Sequence, residues 1–129
     1  MSTTVDQMIT SAEVALSRSS EEDWRVSVHQ AYYAFFHHTM QLATQHLSAT
    51  IEGPSQHKQL YQFMQSQKNG KFRSLGKTLR AAALLRVQAD YDLDTDLGQK
   101  EARNHLKICQ ESLKVVEEFL VQFSEQPQP

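Results

Sequence analysis

The chain has 129 residues, a formal net charge of −2 and 40% hydrophobic residues, the length and balance of one globular domain with a real core. Only four glycines and three prolines occur, too few for the many turns of a β-sandwich or barrel. One cysteine, Cys109, excludes an internal disulfide and any multi-cysteine metal site. No apolar run approaches the roughly 20 residues of a membrane span. MSTTVDQMIT has no basic region followed by an apolar block, so no leader, no membrane contact and a cytoplasmic location are expected.

Apolar residues recur at helical spacing throughout. A first helix is predicted from about Thr4 to Arg18, with Val5, Met8, Ile9, Ala12 and Leu16 on one side. Ser19 with Glu22 reads as a capping box for a second, long helix from about Glu21 to Leu47. Gly53 and Pro54 break the chain. A short third helix follows Ser55, with Leu60, Phe63 and Met64 on one side, and Lys68 to Lys71 reads as a turn. A fourth helix spans about Phe72 to Val87, buried through Leu75, Leu79, Ala83 and Leu84. ADYDLDTD then reads as an acidic loop in which Thr95 or Asp96 caps the next helix. The fifth runs from about Leu97 to Gln122 along a seam of Ala102, Leu106, Cys109, Leu113, Val116, Leu120 and Phe123. The fold predicted is all-α, an antiparallel up-and-down bundle of four to five helices over residues 1–123. Residues 124–129 read as a frayed tail.

Charge is unevenly spread. Between Gly53 and Ala89 lie seven cations (Lys58, Lys68, Lys71, Arg73, Lys77, Arg80 and Arg86) and no acid, whereas the rest of the chain carries six cations and all fifteen acids. Such a segment either meets an anionic ligand or is a solvated basic face.

The second helix contains HQAYYAFFHH, residues 29–38. At about 100° per residue, Arg25, His29, Tyr32 and Phe36 share one stripe, while Trp24, Val28, Ala31, Phe35 and Leu42 form an ordinary core face. A buried tyrosine hydroxyl needs a partner. Arg25 and His29 are candidates for that network, or the stripe reaches the surface and binds a ligand. The histidines do not have metal-ligand spacing and no H-E-x-x-H is present, so no metal site is expected. No phosphate-binding loop, dinucleotide fingerprint or nucleophile elbow occurs, and no cofactor is implied. Asp90, Asp92, Asp94 and Asp96 lack the spacing of a calcium loop.

The order of four features resembles a known family. They are Ala31-Tyr-Tyr-Ala-Phe-Phe-His37, His57 after the Gly-Pro loop, Leu85-Arg-x-x-Ala-Asp-Tyr-Asp92, and a last long helix with Ala102. Together they resemble the higher-eukaryote and prokaryote nucleotide-binding (HEPN) domains, in the branch with Tyr-Tyr-Ala early and Ala-Asp-Tyr-Asp late. The resemblance implies a four- or five-helix bundle, a homodimer, and in many members a minimal nucleotidyltransferase partner in a toxin–antitoxin or defence pair. Other members are metal-independent ribonucleases carrying R-x4-6-H. Arg86 stands where that arginine would be, but Tyr91, Asp92 and Leu93 occupy the histidine's positions, and no arginine in the chain is followed by a histidine at that spacing. General acid–base work by that histidine is therefore absent.

Arg86 either clamps the helix end through Asp90 or Asp92, or binds a phosphate beside Lys77 or Arg80, with Arg73 further along the same helix. Tyr91 either stacks on a base or plugs the bundle end. Three functions follow as expectations. The first is a non-catalytic HEPN-like module binding a nucleotide, RNA or a nucleotidyltransferase. The second is a ribonuclease with a displaced site, using Arg86 with Tyr91 or Arg25 with His29 and Tyr32. The third is an adaptor bundle for another protein.

Overall fold

The computed structural model describes residues 4–125 as five helices, α1 (Val5–Leu16), α2 (Glu21–His46), α3 (Gln56–Gln65), α4 (Gly70–Tyr91) and α5 (Gln99–Glu125). Among the described residues there is no strand, and no helix is long and apolar enough to cross a membrane. The fold is an all-α bundle. α2 is the central element and packs against each of the other four. Its Val28, Ala31, Tyr32, Phe35 and Leu42 are fully buried, beside Leu60, Leu79 and Val116 from α3, α4 and α5. Side chains pair in descending order along α4 as they ascend α2, so these two helices are antiparallel: Arg25 reaches Ala89 and Tyr32 lies under Arg86. Val28 meets His105 and His46 meets Phe123, so α5 runs in the direction of α2.

Local chemistry sets the helix starts. Thr4 and Gln7 form a reciprocal capping box on α1. On α2 the cap is one residue later than Ser19: the Ser20 hydroxyl accepts the Asp23 N–H and donates to its carboxylate, at 3.2 and 2.7 Å. Asn69 caps α4 by accepting from Lys71 and Phe72, so the predicted turn at Lys68–Lys71 is half helix.

Two further expectations are corrected near the end of α4. Ala89, Asp90 and Tyr91 are helical rather than part of an acidic loop. Acids are unfavourable at a helix C-terminus, but the Arg25 guanidinium offsets this by donating to the carbonyls of Gln88, Ala89, Asp92 and Thr95. Thr95 and Asp96 do not cap α5, which begins at Gln99; the Thr95 hydroxyl donates instead to Asp92. The α4–α5 connection is fixed to α2 and α1, as the Leu97 N–H donates to Glu21 and the Gln99 amide donates to the Leu16 carbonyl. Ser124 and Glu125 belong to α5; residues 126–129, the rest of the expected tail, lie outside the described residues.

α3 sits close on α4. A Cβ at Gly76 would come within 2.7 Å of the Gln65 backbone nitrogen, so only glycine admits this approach. That packing fixes the C-terminal end of α3 on α4.

Candidate functional site: a polar cluster between α2, α3 and α4

The loop between α2 and α3 is held by its own backbone. Ser48, Gly53 and Ser55 adopt left-handed φ of 62°, 74° and 65°. The Gln59 side-chain amide donates to the carbonyls of Glu52 and Pro54, both at 2.9 Å. This turns the first residues of α3 onto the aromatic face of α2. His57 stacks on Phe36 at a centroid distance of 4.3 Å, and its Nδ1 lies 2.6 Å from the Tyr32 hydroxyl. Burial pushes the Tyr32 pKa upward, with the Arg86 charge opposing, so the phenol keeps its proton and donates it. The His57 hydrogen is thereby assigned to Nε2. Burial, then the Arg86 guanidinium, then His37 hold the His57 pKa below its ordinary value.

Arg86 comes from α4 on the same side. Its guanidinium carbon is 5.5 Å from the Tyr32 ring centre and 5.4 Å from that of Tyr33. The residue is 7% exposed. Its one ion pair, Nη1 to Asp90 Oδ2, is long at 3.4 Å. Its Nε is one of only two buried side-chain polar atoms without a partner among the described residues. The same Asp90 oxygen accepts from His29 Nδ1 at 2.9 Å, leaving His29 Nε2 as a free lone pair when the ring is neutral. Tyr33 is the hub: His29, His37 and His57 surround its ring at 4.7, 5.9 and 5.6 Å. Burial and the neighbouring His38 lower the His37 pKa as well. The result is one guanidinium and three imidazoles around two tyrosines, with a single carboxylate among them.

The structure brings together Arg86, Asp90, Tyr32 and His29 of the residues singled out from sequence, and separates the others. Arg25 does not reach Tyr32; its Nη1 and Nη2 donate to carbonyls at the α4 end and its Nε lies 3.6 Å from Glu21. His29 likewise turns to Asp90, so the proposed Arg25–His29–Tyr32 site does not form. Lys77, Arg80 and Arg73 lie on the exposed side of α4, about 120–180° around the helix from Arg86, and cannot share a phosphate with it. Arg73 instead donates to the Gln67 and Lys68 carbonyls. Tyr91 is 73% exposed and about 140° around α4 from Arg86, so it neither plugs the bundle end nor pairs with Arg86. Asp92 accepts from Thr95 and leaves Arg86 to Asp90.

His57 was legible as a family position but not as the partner of Tyr32, since 25 residues and an irregular loop separate them. Tyr33 and His37 carried no signal beyond lying beside the stripe. Among the described residues no three His, Cys, Asp or Glu side chains are grouped as a metal site would require. His105 and Cys109 are buried elsewhere: His105 donates to the Val28 carbonyl at 3.0 Å, and burial takes its pKa down to about 4 and that of Cys109 up to about 12. No family model, no curated protein and no solved structure matches the chain.

Proposed function

We propose that the chain is a HEPN-like module that binds a phosphate-bearing ligand, RNA or a nucleotide, at the Arg86 cluster. The observation that carries this reading is the under-satisfied guanidinium. A buried arginine normally has its donors filled, because an unpaired buried charge is costly. Arg86 has one long ion pair and an orphan Nε between two tyrosine rings. A phosphate oxygen taken up by the guanidinium in place of its long Asp90 contact supplies a stronger partner, the His57 Nε2–H adds a second donor, and the half-buried Tyr33 ring offers a face for a base. The family resemblance adds a homodimer and a nucleotidyltransferase partner to this reading, as one half of a toxin–antitoxin or defence pair. The test is a nuclear magnetic resonance titration with adenosine monophosphate and with a short single-stranded RNA. Shifts centred on Arg86, His57 and Tyr33 that weaken as salt rises support the reading. Shifts confined to Lys77, Arg80 and Lys71 contradict it.

A second reading, a ribonuclease with a displaced site, is favoured by the two oriented imidazoles. Metal-independent RNA cleavage needs a base, an acid and a cation. His29 Nε2 takes the proton of the 2′-hydroxyl, whose oxygen attacks phosphorus. The departing 5′-oxygen takes a proton from His57 in its protonated form, and Arg86 stabilises the pentacoordinate charge. Because the His57 pKa is depressed, cleavage would rise as pH falls from neutrality. Cleavage that resists chelator and is lost in His29→Gln and His57→Gln supports this reading; full activity in both variants removes it.

A further inference from the structure

Asp90 occupies the part of Arg86 that a phosphate would take, and it does so loosely. Its Oδ2 lies 3.4 Å from Arg86 Nη1 but 2.9 Å from His29 Nδ1. A charge-assisted N–H to carboxylate bond normally closes to about 2.7–2.9 Å, so the imidazole rather than the guanidinium holds this carboxylate. The helix does not gain from it either. Asp90 stands in the last turn of α4, which ends at Tyr91, and the helix dipole disfavours an acid there. An asparagine at this position would still accept the His29 N–H. Neither the helix nor the imidazole therefore needs the negative charge, and its effect falls on the site.

That charge cancels the one on Arg86. Burial holds the pKa values of His37 and His57 below the ordinary range, and Tyr32 keeps its proton, so these groups add no charge near neutrality. An entering phosphate takes over Arg86 Nη1, while Asp90 keeps its shorter bond to His29 and stays beside the ligand. The first negative charge on the ligand is matched by a direct, charge-assisted contact with the guanidinium. A second charge meets a neutral Arg86–Asp90 pair, in which attraction and repulsion nearly cancel, and its desolvation goes uncompensated. A phosphodiester carries one charge; a phosphomonoester carries nearly two above its second pKa of about 6. Resting on the phosphate reading of this cluster, we propose that Asp90 is a specificity-determining residue, a charge filter that makes the Arg86 site take singly charged phosphodiesters and refuse doubly charged phosphomonoesters.

The test is a titration of the full chain at pH 8, where an ordinary imidazole is neutral. The ligands are adenosine 5′-monophosphate and its methyl phosphate ester, which share base and sugar and differ by one charge. Affinities are read from the magnetic-resonance shifts of Arg86 and His57, with helix content checked by circular dichroism. The wild type is expected to bind the ester more tightly. In Asp90→Asn the order should reverse, with affinity for the monophosphate rising at least roughly tenfold. Asp90→Ser removes the charge by a second route and should reverse the order as well, whereas Asp90→Glu keeps the charge and the wild-type order. A ratio of affinities that Asp90→Asn and Asp90→Ser leave unchanged, or a loss of both ligands together in these variants, overturns the inference and makes Asp90 a structural partner of Arg86. Either result leaves the phosphate reading in place, because the wild type still binds through Arg86. If neither ligand moves Arg86 or His57 in any of the proteins, the phosphate reading fails and the filter fails with it.

Discussion

Arg25 and Arg86 sit on the same antiparallel helix pair, and both are largely shielded from water. Their environments differ in one respect that decides what each does. Arg25 places its guanidinium on four carbonyls at the end of α4 and pairs with Glu21. Arg86 has a 3.4 Å contact to an aspartate already engaged by His29, and an Nε with no partner. A buried cation whose guanidinium is spread over four backbone carbonyls is part of the fold. One with donors left over is a poor structural element, and its retention between two tyrosines and a histidine points to a ligand. Arg86 does make the expected pair with Asp90 one turn on, while Arg25 holds the carbonyls at the end of α4.

Three perturbations sharpen this contrast. The largest effect is expected from Arg25→Ala, which takes one donor from each of four carbonyls and removes the cation beside Glu21. Urea denaturation should show a loss of about 4 kcal/mol, with ligand affinity of the folded fraction unchanged. A loss near zero would remove the distinction between the two arginines. Next, His105 is a buried imidazole whose Nε2 donates to the Val28 carbonyl. Its ordinary pKa is 6.5 and its folded pKa about 4, so the unfolded chain binds the proton more tightly. The stability it contributes is complete above about pH 6.5 and is lost as pH falls toward 4, roughly 3 kcal/mol in all. His105→Gln should flatten that acid slope in denaturation measured across pH. The smallest effect is expected from Tyr32→Phe. It removes one hydrogen bond, about 1 kcal/mol, and takes the partner from His57 Nδ1, readable as a change in the ring's nitrogen chemical shifts by magnetic resonance. Unchanged His57 ring shifts would mean that the phenol does not hold that ring.

The helices were legible because their cores repeat at three and four residues: Val5 to Leu16, Val28 to Leu42 and Ala102 to Phe123 recover α1, α2 and α5 closely. The end of α4 was not. Asp90-Tyr91-Asp92 has the composition of a loop, and the arginine that makes it helical stands more than 60 residues earlier. The candidate site was half legible. Arg86, Asp90 and His29 were visible as residue types, but their grouping depends on α2 meeting α4, which no local spacing encodes. His57 depends on two left-handed serines and a folded loop. That Lys77, Arg80 and Arg73 stand apart from Arg86 was not visible, because a run of charge along the chain says nothing about which side of a helix each side chain takes.

The most direct test of the central claim pairs stability with binding in one variant, Arg86→Met. Asp90 keeps His29 as a partner, and a flexible apolar side chain fills the space between the tyrosines, so folding stability should change by no more than about 1 kcal/mol. Affinity for a fluorescent single-stranded RNA, followed by anisotropy at low and moderate salt, should fall at least roughly tenfold, and the salt dependence should flatten. A variant that unfolds readily while its folded fraction binds RNA as the wild type does would contradict the account and make Arg86 a structural residue.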